Sequence, residues 1–250
     1  MKQRTPFSSH KHIFALFTTR NDGVSKAPYQ ENNLAFHVGD KEEDVIINHK
    51  TLAENMGYEY SKLVHMRQIH SDKIIIVEPE IHNFNHPPEC DALITNLPKI
   101  PLMVMTADCT PVLFYDTQKQ VIAVAHAGRS GALKGIVPKT LQMMQQHFNC
   151  DLKDIHVAIG PSIGVCCYEV GQEIVEDVTK AGYGLATVYE NGRYSLDVNA
   201  IIREQLQKEG LEQTHLEDHA ICNACNNENF FSYRADKQTT GRIAGILMLR

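Results

Sequence analysis

Apolar positions along this chain come in short blocks separated by polar clusters, and the block lengths favour strands over helices. Runs of four to eight apolar, β-branched residues read as buried strands. Strands are predicted on that basis at 13–19, 63–67, 73–77, 92–95, 102–106, 111–115, 121–126, 155–160, 186–189 and 243–249. Helical patterns cover 41–56, 132–148, 171–181 and 198–209. The first opens on Glu42-Glu43-Asp44, acidic residues that suit the positive end of a helix dipole, and closes at Gly57. Pro138 falls inside the second, so it must start a new segment or kink the helix. The fourth stops at Gly210. Strands and helices do not alternate regularly, and the close-set strands between 92 and 126 suggest local antiparallel pairing. The pattern predicts an α+β fold with mixed sheets rather than a doubly wound one.

Three of these strands border reactive side chains. Leu102–Met105 runs into Thr106-Ala107-Asp108-Cys109, and Val121–Ala125 runs into His126-Ala127-Gly128-Arg129. Upstream, Gln68-Ile69-His70-Ser71-Asp72 leads into the strand Ile74–Val77. Loops at strand ends are where a rigid scaffold presents its chemistry. His70, Cys109 and His126 therefore stand out. Imidazole and thiolate are ligands that zinc prefers, and three protein ligands with an open fourth position form the catalytic arrangement. The spacings of 39 and 17 residues match no short zinc motif. The same residues also suit a Cys nucleophile with a His base. From the residues alone, both readings stand.

Composition narrows the field. At 250 residues with 43% hydrophobic positions, the chain can build a substantial core. A net charge of −6 gives no basic footprint for nucleic acid. No apolar run approaches the roughly 18 residues of a membrane span, and Ile13–Phe17 is short for a signal-peptide core. Seven cysteines, an odd number, suit a reducing cytoplasm better than a disulfide framework. The loop His82–Glu89 is the only punctuation and is too short for a linker, so one domain over residues 1–250 is expected. His215, His219, Cys222 and Cys225 form a second candidate metal cluster, in which Cys-x-x-Cys is also a potential redox pair. The adjacent Cys166-Cys167 reads as packing.

Further motifs follow in order: Cys90-Asp91-Ala92-Leu93-Ile94-Thr95, Ile159-Gly160-Pro161-Ser162-Ile163-Gly164, Tyr168-Glu169-Val170-Gly171, Phe230-Phe231-Ser232-Tyr233-Arg234 and Thr240-Gly241-Arg242. With Gln68-Ile69-His70, Ala107-Asp108-Cys109 and His126-Ala127-Gly128, they make the chain resemble the laccase-domain family. That family was first named polyphenol oxidase or multicopper-oxidase-like and is now regarded as purine nucleoside phosphorylases that also deaminate adenosine. The resemblance runs from about Thr18 to the C-terminus, and an ordered series is far more specific than any one motif.

The resemblance implies a single domain of four layers, α/β/β/α, with mixed sheets. It implies zinc held by His70, Cys109 and His126, with copper as the metal of the family's older name, and a cytoplasmic enzyme. Purine nucleosides and phosphate become the expected partners. Deamination needs a proton donor near the leaving amine, and Asp108 is nearest by sequence. Phosphorolysis needs a cation on phosphate, for which Arg20, Arg129, Arg234 and Arg242 are candidates. Arg20 is the first choice, because its turn-rich loop resembles the family's N-terminal motif. Asn33, His37 and Gln68 are further candidate substrate contacts. Where the family usually continues His-Ala-Gly with Trp-Arg-Gly, this chain has Arg129-Ser130-Gly131. Two alternatives remain. One is a Cys/His hydrolase acting on an amide or cell-wall precursor. The other is a copper phenol oxidase, poorly supported because the only His-x-His pair is His10-Lys11-His12.

Overall fold

The computed structural model describes residues 5–79 and 86–250, so residues 82–85 of the expected loop lie outside the described residues. In chain order the strands are β1 (Ile13–Phe17), β2 (Ile74–Ile76), β3 (Ala92–Thr95), β4 (Leu102–Thr106), β5 (Thr110–Asp116) and β6 (Val121–Ala127). They continue with β7 (Ile155–Ile159), β8 (Glu169–Val170), β9 (Thr187–Glu190), β10 (Arg193–Leu196), β11 (Leu216–Asp218) and β12 (Ile243–Leu249). The helices are α1 (Glu42–Met56), α2 (Arg129–Leu133), α3 (Ile136–Phe148), α4 (Gln172–Lys180) and α5 (Val198–Glu209).

The expected 132–148 helix is two helices. Lys134 and Gly135 separate α2 from α3, and Pro138 sits in the first turn of α3, where a missing N–H costs nothing. The expected strand at 63–67 is absent. That segment makes only isolated bridges, Val64 to Leu102 and Arg67 to Glu89, before it bends toward Gln68 and His70. Strands β8, β10 and β11 carry no apolar run and were not visible in the pattern.

A six-stranded sheet runs in the order β11-β7-β5-β6-β3-β2, and a three-stranded sheet in the order β1-β12-β4. The larger sheet is mixed: β2 with β3 and β11 with β7 are parallel, and its other pairs are antiparallel. Alternation along β4 shows how the sheets stack. Leu102 and Val104 pack with Leu113, Ile122 and Val124 of the larger sheet. Met103 and Met105 face the other way, onto Leu52 and Ala53 of α1. Strand β6 repeats the device, since Val121, Ala123 and Ala125 pack against Val137, Leu141 and Met144 of α3. The order is therefore α/β/β/α, an α+β fold. Strands buried on both faces read as continuous apolar runs, which is why they were legible. A small third sheet, β8-β10-β9, is separate in its pairing but adds Val170 and Leu196 to the core between the larger sheet and α3.

The topology gathers the reactive loops at one end of the larger sheet. Antiparallel pairing sets Pro111 opposite His126, so Cys109 before β5 lies beside the end of β6. The pairing of Ala92 with Ala125 brings Asp91, just before β3, to the same end. Parallel pairing of β2 with β3 adds the His70 loop, tied by a hydrogen bond from the Asp91 amide to the Lys73 carbonyl.

Candidate active site

His70, Cys109 and His126 converge, with one donor atom from each lying within 4.8 Å of the others. His70 Nε2 is 3.8 Å from Cys109 Sγ, and the two imidazoles meet edge to face at 4.8 Å. His126 is buried, whereas His70 is exposed. Gly128 is required by this approach: a Cβ there would stand 2.9 Å from Cys109 Sγ and 3.1 Å from His70 Cδ2.

Asp91 builds the site from beneath. Its carboxylate accepts from His126 Nδ1 at 2.8 Å and from the Ser71 hydroxyl at 2.7 Å. It also accepts the backbone N–H groups of Ile69, His70 and Ser71. These bonds hold His70 in a left-handed conformation, φ 55°, that a side chain other than glycine adopts at a cost. Burial pushes the Asp91 carboxyl up, but the bonds from His126 and Ser71 outweigh it and hold the group at about 2. Burial raises the Cys109 thiol, and the two imidazoles overcome that and bring it down. Burial opposes charge on His126, while Cys109 and Asp91 raise its pKa. Sequence reasoning placed Asp91 in a motif without a role. Its signal was weak, because an acidic residue at a strand start reads as an ordinary cap.

The cluster opens into a cavity of about 750 Å³. Of the expected contacts, His37, Gln68, Asp108, Arg129, Arg234 and Arg242 line it. Tyr168, Tyr233, Ile163 and His65 also line it and were not foreseen as contacts. Asp108 accepts from the Ser232 hydroxyl and the Arg234 amide, each at 2.7 Å, and burial still pushes its carboxyl up. Burial, helped by Arg242, pushes the His37 pKa down. Gln68 spends its amide on the backbone of β4, donating to the Met105 carbonyl and accepting the Met105 amide. Arg234 donates to the carbonyls of Cys167 and Glu169, and Arg242 to those of Thr240 and Gly241. The Arg129 side chain makes no hydrogen bond or ion pair among the described residues, and its charge acts on Tyr168.

Two of the expected contacts do not line the cavity. Arg20 is buried away from the cavity. Its guanidinium donates to the carbonyls of Gln30 and Asn227, pairs with Asp236 at 3.4 Å and lies 4.5 Å over the Phe231 ring. Its Nε and Nη1 donors and the side facing Phe231 are committed to fixing the loop. Asn33 is also buried outside the cavity, donating to Ala35 and Asp40 and accepting the Arg242 amide, so it steadies the segment that carries Arg242.

The sequence model of the multi-copper polyphenol oxidoreductase laccase family matches residues 14–250. The chain belongs to this family. Among its laccase-type relatives, a purine nucleoside phosphorylase of Corynebacterium glutamicum is 36% identical over 240 residues, covering 96% of each chain. Another, of Haemophilus influenzae, is 35% identical and covers 95% of this chain and 94% of its own. The crystal structure of YlmD from Geobacillus stearothermophilus superposes with a TM-score of 0.93 at 30% identity, over 100% of this chain and 98% of that one. Among the described residues of this laccase-type chain, no helix is long and apolar enough to cross a membrane.

Proposed function

We propose that this chain is a zinc-dependent purine nucleoside phosphorylase that also deaminates adenosine, working in the cytoplasm as one domain over residues 1–250. The observation that carries the reading is the convergence of His70, Cys109 and His126 at the wall of a cavity edged by arginines. Relatives covering nearly the whole chain carry the name purine nucleoside phosphorylase. A volume of about 750 Å³ suits a ligand of nucleoside size.

The donor set fits one zinc. Two imidazoles and a thiolate make a three-ligand site of borderline softness. Asp91 fixes the proton on His126 Nδ1, which leaves Nε2 to face the centre as a lone-pair donor. Multicopper chemistry has less support, since the one His-x-His residue pair sits in the N-terminal segment, where His10 packs on Tyr115 and His156. When bound, zinc lowers the pKa of a coordinated water to about 7 and polarises anionic oxygens.

The protein's own groups supply the rest. Asp108, with its pKa raised, protonates the leaving amine in deamination. Tyr168 and Tyr233 offer aromatic surface to a purine. Arg129, uncommitted and lining the cavity, replaces Arg20 as the phosphate-binding cation. The reading is tested by incubating inosine with and without phosphate. Hypoxanthine and ribose 1-phosphate should form only with phosphate, and Cys109→Ala should form neither. Adenosine without phosphate should give inosine. Phosphate-independent base release would reject phosphorolysis.

One observation favours a second reading. Asp91, His126 and Cys109 are aligned as a carboxylate, imidazole and thiol, the arrangement of a Cys/His hydrolase. That reading leaves His70 without a role.

A further inference from the structure

Seven cysteines are free, and four of them meet outside the catalytic cavity. Cys166 Sγ and Cys167 Sγ lie 3.5 Å and 3.3 Å from Cys225 Sγ, and all four sulfurs of Cys166, Cys167, Cys222 and Cys225 fall within 4.8 Å of one another. The composition of this cluster differs from the expected one. Cys222 and Cys225 are joined by Cys166 and Cys167, not by His215 and His219. Those histidines are spent elsewhere, His215 against His156 at 4.2 Å and His219 against Phe17 at 5.4 Å.

We propose that Cys166, Cys167, Cys222 and Cys225 form a second metal site, a tetrathiolate centre that takes a zinc-like divalent ion and staples the segment 162–168 to the segment 221–226. Four sulfurs at a Zn–S distance of about 2.3 Å stand roughly 3.8 Å apart in a tetrahedron. The observed separations of 3.3 and 3.5 Å are close to that and well beyond a disulfide bond.

The backbone is built for this cluster. Ser162 N–H donates to the Ile221 carbonyl and Asn223 N–H to the Ser162 carbonyl, so the two segments are already clamped. Gly164 N–H donates to Cys222 Sγ at 3.3 Å. A Cβ on Gly164 would come within 3.2 Å of Cys222 Cβ and 3.3 Å of Cys166 Sγ, so glycine keeps the cluster closed.

The site stands independently of the catalytic reading, yet it borders the catalytic cavity. Ile163 and Tyr168 line that cavity, and Arg234 donates to the Cys167 carbonyl at 3.3 Å. Filling the tetrathiolate site therefore fixes one wall of the cavity.

The test is metal stoichiometry on full-length protein reconstituted with zinc under reducing conditions and freed of excess metal. Wild type should hold two zinc ions per chain, and Cys109→Ala should keep one. Loading Cys109→Ala with cadmium should give the ultraviolet charge-transfer absorption of a multi-thiolate site. Cys222→Ser/Cys225→Ser should lose that absorption and one zinc. If this variant does not fold, Cys109→Ala decides the question alone. A Cys109→Ala protein without zinc and with no thiolate band would overturn the proposal, as would a disulfide among these four residues in reduced, zinc-treated protein. One zinc in both wild type and Cys109→Ala would keep this site and reject the catalytic one.

Discussion

Asp91 makes more of the cluster's hydrogen bonds than His70, Cys109 or His126 does. It accepts from His126 Nδ1 and from three consecutive backbone amides, so it sets both an imidazole tautomer and the His70 loop. Asp91→Asn should weaken zinc binding about 10- to 100-fold, read by competition with a chromogenic chelator. Unchanged affinity would show that His126 needs no orienting partner. The same carboxylate gives a pH prediction for metal-free protein. Its pKa is depressed from 3.8 to about 2, so its stabilisation is complete above 3.8 and is lost as pH falls through about 2. Wild type should therefore lose its stability advantage over Asp91→Asn across that window, by an amount on the order of 2 kcal/mol. A constant difference in urea midpoint from pH 5 to pH 2 would contradict this. The arginines divide similarly. Arg129→Ala should raise the KM for phosphate about tenfold or more while sparing deamination, since a charge-assisted hydrogen bond contributes about 1.5–3 kcal/mol. Arg20→Ala should lower both activities together through lost stability. The clustering of His70, Cys109 and His126 was legible because each adjoins an apolar run, whereas the place of Asp91 depends on β3 pairing with β2 and β6, which no local pattern shows. Arg20 was the first choice for phosphate because its turn-rich loop resembles the family's N-terminal motif. Here it folds back against Phe231 and Asp236.

At the scale of elements, the layer between the sheets holds the site's scaffold in register. Leu113 of β5 is fully buried there with Val104 and Val124. Leu113→Ala should cost about 2–5 kcal/mol by chemical denaturation, through lost burial and a residual cavity. A cost under about 1 kcal/mol would mean that the two sheets close the gap. Helix limits were read well where glycine stops the chain, as at Gly57 and Gly210. Strands buried on both faces announced themselves as unbroken apolar runs. The polar strand Leu216–Asp218 offered no such signal, because its place is set by pairing with β7. The segment 63–67 shows the opposite error. Its apolar residues are buried by packing along β4 rather than by sheet pairing.

For the whole molecule, the arrangement explains why one end of one sheet carries the chemistry. Four chain segments, spaced 17 to 21 residues apart, deliver His70, Asp91, Cys109 and His126 to that end, so an ion bound there would report on the folded state. Zinc should stabilise the protein by about 4 kcal/mol at a thousandfold excess over its dissociation constant, seen as a rise in Tm. The most direct measurement of the central claim is phosphate-dependent base release from inosine, followed through metal removal and return. Protein stripped by a strong chelator, with metal loss verified, should be inactive and should recover activity on adding zinc. Treatment of the zinc-loaded enzyme with iodoacetamide should leave activity largely intact, because Cys109 is held as a ligand. Activity that survives verified metal loss and is abolished by alkylation of Cys109 would contradict the zinc site and establish Cys109 as a nucleophile.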